Sequence, residues 1–136
     1  MSILLDRNVQ NAIAHEAEKA YPEECCGFLL GHEQPERRVT SIRPALNISS
    51  ELRRRRFVID PLEYMRVERE TRNQELELVG IYHSHPDHPA VASQHDQASA
   101  LPWFSYVIAS VSAGGTGEIR SWRLDDHQTF REERVK

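Results

Sequence analysis

The segment from Tyr82 to Asp96, YHSHPDHPAVASQHD, limits what the surrounding chain can build. Apolar Val79–Tyr82 runs straight into His83-x-His85-Pro86, and Ser93-x-x-Asp96 follows six residues after that proline. In an extended strand, residues two apart point to the same face, so a strand ending at His85 presents two imidazoles side by side. Pro86 and Pro89 stiffen the exit, and the loop must return a helix beginning near Ser93 to the end of the same strand. Asp96 is then placed to add a third ligand and leave a fourth position for water, the pattern of a catalytic rather than a structural zinc site.

The rest of the chain suits an ordinary soluble protein. At 136 residues it is expected to form one domain, residues 1–136, with a single core. Its formal charge of −4 argues against nucleic acid as a partner, because phosphate binding calls for a basic face. No apolar run approaches the roughly 20 residues of a membrane span. The beginning, MSILLDRNVQ, lacks the sustained apolar stretch of a signal peptide. Cys25 and Cys26 are adjacent and unsuited to a disulfide framework, so the cytoplasm is the expected location.

Periodicity predicts a helix over Arg7–Tyr21, with Asp6 as its cap and Pro22 as its stop. Short strands follow at Cys26–Leu30, Glu36–Arg43 and Arg55–Ile59, with Pro44–Ser50 a loop between the last two. Asp60 caps a second helix that opens on Pro61 and runs to about Asn73. Leu78–His83 is the strand that carries the histidines, and Ser93–Leu101 a short helix. Trp103–Ser110 and Glu118–Leu124 form a hairpin around Ala113-Gly114-Gly115-Thr116-Gly117, and Thr129–Glu133 is a last edge strand. Helices interleaved with a mixed, largely antiparallel sheet make an α/β or α+β domain.

Each candidate residue also has a purely structural explanation. His-x-His alone describes many polar strand ends. Ser93-x-x-Asp96 has the form of a capping box, although a cap and a ligand are compatible roles for the same acid. A hydrolytic zinc site needs a base, and Glu24 or Glu23, at the entry to a buried strand, meets that need equally well on spacing. The run Arg53–Arg56 suits either a solvated strand edge or a surface for an acidic protein or a carboxylate. His15, His32 and His127 have no partners at useful spacing. Cys25 is assigned to packing, and Asn47 to a turn.

Together, Glu24 three residues before Gly27 and His83-x-His85-Pro86-x6-Ser93-x-x-Asp96 resemble the signature of the JAMM (MPN+) metalloprotease family. The likeness extends over most of the chain and is closest to its small prokaryotic members. It implies a JAB/MPN-like mixed sheet flanked by helices, with cytidine-deaminase-like layering. It also implies one zinc ion per chain on His83, His85 and Asp96, with Glu24 as general base and Ser93 as oxyanion donor. The chain is too short for the insertions with which eukaryotic relatives grip polyubiquitin. Small bacterial relatives act on ubiquitin-like sulfur-carrier proteins, cutting after a C-terminal Gly-Gly, and that substrate class is the expectation here. Gln97 departs from the apolar residue often found after the motif's aspartate.

Two other readings compete. His83-Ser84-His85-Pro86-Asp87-His88 also matches the His-x-His-x-Asp-His string of metallo-β-lactamase-like hydrolases, which would recruit Asp87 and His88. That reading leaves Glu24 and Ser93 without a role and places Asp87 and His88 as ligands rather than at the rim of a cleft. A non-catalytic scaffold domain of the same fold is the other reading, though such relatives typically lack the ligands present here. The sequence leaves the oligomeric state open.

Overall fold

The computed structural model describes residues 1–136. Arg7–Ala20 is the first helix, α1, because Val9, Ile13 and Ala17 recur every four residues and bury one stripe. Asp6 precedes it without capping it; its carboxylate instead takes a hydrogen bond from Arg38 at 3.0 Å. The second helix, α2, spans Pro61–Asn73, and there the Asp60 side chain does cap, accepting from Leu62 N at 3.0 Å. The third, α3, is the short Gln94–Ala98. None of the helices is long and apolar enough to cross a membrane.

Seven strands run between them: β1 (Ser2–Leu5), β2 (Cys26–His32), β3 (Arg38–Ala45), β4 (Glu77–Pro86), β5 (Ser105–Ser112), β6 (Gly115–Leu124) and β7 (Phe130–Val135). Their spatial order is β1-β3-β2-β4-β5-β6-β7, and β1 also pairs with β7 to close the sheet into a barrel. Three pairings are parallel, β1 with β3, β1 with β7 and β4 with β5; the others are antiparallel. The strand expected at Thr129–Glu133 is therefore not an edge, since β7 has a neighbour on each side. β1 has no counterpart in the sequence reading.

β2 and β4 are covered on both faces, which is why they read as continuous apolar runs rather than alternating ones. On one face α1 packs over Leu29, Val79, Tyr82 and Val107. On the other, Phe28, Ile81 and Tyr106 meet Val67 of α2 and Ile59 of the segment before it. Gly27 is needed where β2 crosses β4, because a Cβ there would strike the Tyr82 ring.

The expected third strand at Arg55–Ile59 is absent. Ile59 is buried and Val58 exposed, which imitates strand alternation, but no neighbouring strand supplies a ladder. Arg55 N and Arg56 N instead donate to Leu52 O, each at 2.8 Å, and Val58 N donates to the Asn47 side chain at 3.1 Å. The four arginines thus lie in and after a turn, not along a strand edge.

Inside the barrel a second group of polar side chains is buried. Glu133, 1% exposed, accepts from Ser105 Oγ at 2.5 Å and Ser121 Oγ at 2.6 Å, and pairs with Arg123 at 2.5 Å. Ser105 Oγ accepts in turn from Arg37, whose guanidinium also reaches both Glu33 oxygens and the Trp103 carbonyl.

Candidate metal centre

β4 carries His83 and His85 on the α2 side of the sheet, two residues beyond Ile81. Pairing fixes their height, with His83 opposite Cys26 of β2 and Ile108 of β5. Because β4 and β5 are parallel, the chain must cross over between them, and that crossover carries α3. Ser93 Oγ accepts from Asp96 N at 3.0 Å while Asp96 Oδ2 accepts from Ser93 N at 2.9 Å, a complete capping box. The same carboxylate faces the histidines, with Oδ1 3.3 Å from His83 Nε2 and Oδ2 3.1 Å from His85 Nε2. Capping and convergence on the imidazoles coexist.

The two Nε2 atoms lie 3.2 Å apart. His85 Nδ1 is 2.9 Å from the Pro89 carbonyl, which can only accept, so Nδ1 carries a proton and, in the neutral ring, Nε2 offers its lone pair to the cluster. His83 is fully buried and stacked on Phe57 at 4.5 Å between ring centroids. The two imidazole nitrogens and the two carboxylate oxygens thus meet in three contacts of 3.1–3.3 Å, and one ligand atom from each residue lies within 4.8 Å of the others. Bonds of about 2.0 Å to a tetrahedral ion place neighbouring ligands roughly 3.3 Å apart, so the donor set fits such an ion. His83, His85 and Asp96 are the group of side chains in the chain able to hold a metal.

Electrostatics follow from burial and contact. Burial would raise the Asp96 pKa, but hydrogen bonds from His83 and His85 outweigh it and hold the acid well below the usual carboxylate range. Burial lowers the pKa of His83 despite Asp96. For His85 burial acts in the same sense, yet the hydrogen bond to Asp96, the Pro89 carbonyl and the charge of Asp96 prevail and raise it.

Glu24 lies where the connection from α1 enters β2. Its N–H donates to Arg53 O at 2.7 Å and its carbonyl accepts from Asn47 Nδ2 at 3.2 Å. The next residue is tied to β4, Cys25 N donating to Ser84 Oγ at 2.8 Å and Ser84 N to Cys25 O at 3.1 Å. Glu24 is 4% exposed and its Oε1 has no hydrogen-bond partner. Burial lifts its pKa from 4.5 to about 8, with Asp96 adding to the rise and His85 opposing it. Glu23, the equal candidate on spacing, is solvent-exposed.

Two cavities flank the cluster. One, of about 270 Å³, is lined by His83 and Asp96 together with Phe57, Val58, Ile59, Tyr64 and Tyr106. The other, of about 500 Å³, is lined by Glu24, His85 and Ser93 together with Arg55, His88, Pro89 and Val91. His88 is at that cavity's wall. Asp87, at φ 59°, turns to the Tyr21 hydroxyl, which donates to its carboxylate at 3.0–3.1 Å. Asp87 and His88 therefore do not join the histidine pair as a His-x-His-x-Asp-His site requires. Sequence reasoning missed Ser84 and the reach of Asn47. Asn47 does make its turn, through Ser49 N, but it also binds the backbone of Glu24, Arg56 and Val58.

A family model described as prokaryotic homologs of the JAB domain matches residues 6–125. A desampylase of Pyrococcus furiosus is 31% identical over 112 residues, covering 82% of this chain and 74% of that one. A CysO-cysteine peptidase of Mycobacterium tuberculosis is 30% identical over 128 residues, covering 91% and 84%. The solution structure of a Desulfitobacterium hafniense protein superposes with a TM-score of 0.85 at 26% identity, covering 98% of this chain and 91% of that one.

Proposed function

The chain belongs to the prokaryotic JAB family of JAMM-type hydrolases, and from that premise we propose that it is a zinc-dependent peptidase. Its substrate in this reading is a ubiquitin-like or sulfur-carrier protein, cut at the amide bond after a C-terminal Gly-Gly. Residues 1–136 act as one domain, and the two free thiols suit a reducing cytoplasm. One observation carries the proposal: three ligand groups converge, and Glu24, which has an unpartnered carboxylate oxygen, lines the cavity beside them.

His83, His85 and Asp96 would hold one zinc ion, which when bound supplies a water of pKa near 7 and a Lewis acid for the scissile carbonyl. Glu24 takes a proton from the attacking water and returns it to the leaving amine; burial moves it toward the pH range where a base can do both. Ser93 Oγ already accepts from Asp96 N, so its own O–H is free to donate to the oxyanion that develops on the carbonyl. Tethers from Arg53, Asn47 and Ser84 hold the backbone around Glu24 and keep the base in position.

The test is to incubate the zinc-loaded protein with Gly-Gly-extended sulfur-carrier proteins and follow mass. Loss of the extension by wild type, and its retention with Glu24→Gln, is the expected result. Unchanged mass across a broad panel favours the scaffold reading instead.

A further inference from the structure

The connection between β3 and α2 holds four consecutive arginines, Arg53–Arg56, in a chain whose net charge is −4. None of the four has a carboxylate within ion-pair distance. They are nevertheless not equivalent. Arg53 secures the loop, its Nε donating to Ser49 O at 2.8 Å and its carbonyl accepting from Glu24 N. Arg54 is close enough to Tyr21 to act on its hydroxyl. Arg55 lines the polar cavity with Glu24, His85 and Ser93, and its side chain makes no hydrogen bond within the protein. The loop displaying it is fastened by Asn47 at four points and by Glu24 N.

The proposed hydrolysis fixes what must enter that cavity. The oxygen of water bonds to the carbonyl carbon, the C–N bond breaks, and a proton from water reaches the leaving nitrogen through Glu24. The leaving nitrogen must therefore come within hydrogen-bond reach of Glu24, on the side Glu24 lines. In an α-amino acid the carboxylate is one carbon away from that nitrogen and arrives in the same cavity. There it meets the acid Glu24 and requires a cation. A guanidinium with no competing partner meets that requirement, and its planar fork matches a carboxylate. In an isopeptide to a lysine ε-amine, no carboxylate stands at that distance.

Resting on the proposed peptidase activity, we propose that Arg55 captures the free α-carboxylate of a single amino acid leaving from the Gly-Gly end. The enzyme thereby prefers a one-residue C-terminal extension to an isopeptide conjugate.

Three probes test this on the zinc-loaded protein. The first is a sulfur-carrier protein ending in Gly-Gly-Ala with a free carboxylate; the second is the same protein as its C-terminal amide. The third carries Gly-Gly on the ε-amine of a blocked lysine. Wild type should favour the free acid over both others by about 10–100-fold in kcat/KM, the worth of a charge-assisted pair. Arg55→Met should erase that preference by slowing the free acid far more than the amide, Arg55→Lys should restore part of it, and Arg54→Met should retain it in full. Equal wild-type rates on acid and amide overturn the proposal, as does an Arg55→Met variant that slows both alike. Cleavage of no probe by wild type overturns the peptidase reading itself, and the role of Arg55 with it.

Discussion

Two groups of buried charge occupy this small barrel, and they are built on opposite principles. Around Glu133, the charges are matched: two serine hydroxyls donate to one carboxylate oxygen, Arg123 forms an ion pair with the other, and Arg37 continues the chain to Glu33. Around Asp96, three side chains that can each bind a cation face one another. Two imidazole nitrogens and a carboxylate crowd within 3.1–3.3 Å, and the nearby Glu24 Oε1 and His83 Nδ1 have no partners. A closed network of the first kind holds strands together. An open one of the second kind calls for something from outside, because leaving buried polar groups unmatched is costly. Burial of charge alone does not mark a functional site; the direction of the missing partners does.

The strongest way to break this contrast is His83→Ala. Removing one of three donors should abolish stoichiometric zinc, measured by elemental analysis of the purified protein, whereas Glu133→Ala should leave the zinc content intact. Next comes Glu24→Gln, which keeps all three donors. It should retain the metal and lower hydrolysis by about 10²–10⁴, the usual worth of a general base. A fully active variant would move the base elsewhere. Third, Glu133→Ala should cost about 3 kcal/mol in denaturant unfolding by leaving Arg123 and the buried Ser105 and Ser121 hydroxyls without their shared acceptor. A negligible loss would show that the closed network contributes little.

The smallest expected effect concerns pH. The Glu24 pKa is raised from 4.5 to about 8, so the metal-free fold keeps a proton that the unfolded chain releases. Its stability contribution is complete below about pH 4.5 and lost as pH rises toward 8. Metal-free Glu24→Gln, which has no such proton to lose, should therefore gain on metal-free wild type between pH 5 and pH 8. The gain should be on the order of 1–2 kcal/mol, read from parallel melting curves. A constant difference across that range would mean Glu24 is solvated when the metal is absent.

The sequence announces the cluster well because its ligands lie within fourteen residues and their geometry is local. Strand alternation aligns His83 with His85, and a capping box orients Asp96. Spacing alone leaves Glu24 and Glu23 equal, since adjacent residues differ only in which one the fold buries; the likeness to the family signature is what singles out Glu24. Asn47 looked like a turn residue because its bonds to Glu24 and Val58 span 23 and 11 positions. The Arg55–Ile59 strand was misread because alternating burial is necessary for a strand but does not supply a neighbour to pair with. β1 was missed at four residues, too short for a pattern, although it is the piece that closes the barrel.

Asp96 has one more consequence. α3 is five residues long and buries none of them, so it is held by its cap and by the bond from Phe130 N to Gln97 Oε1 at 3.0 Å. The oxygen that ties Asp96 to the Ser93 amide also faces His85. Winding of residues 93–98 and affinity of the cluster for a cation are therefore two sides of one thermodynamic linkage. Whatever factor a filled cluster adds to the winding of α3, a wound α3 adds to the filling of the cluster.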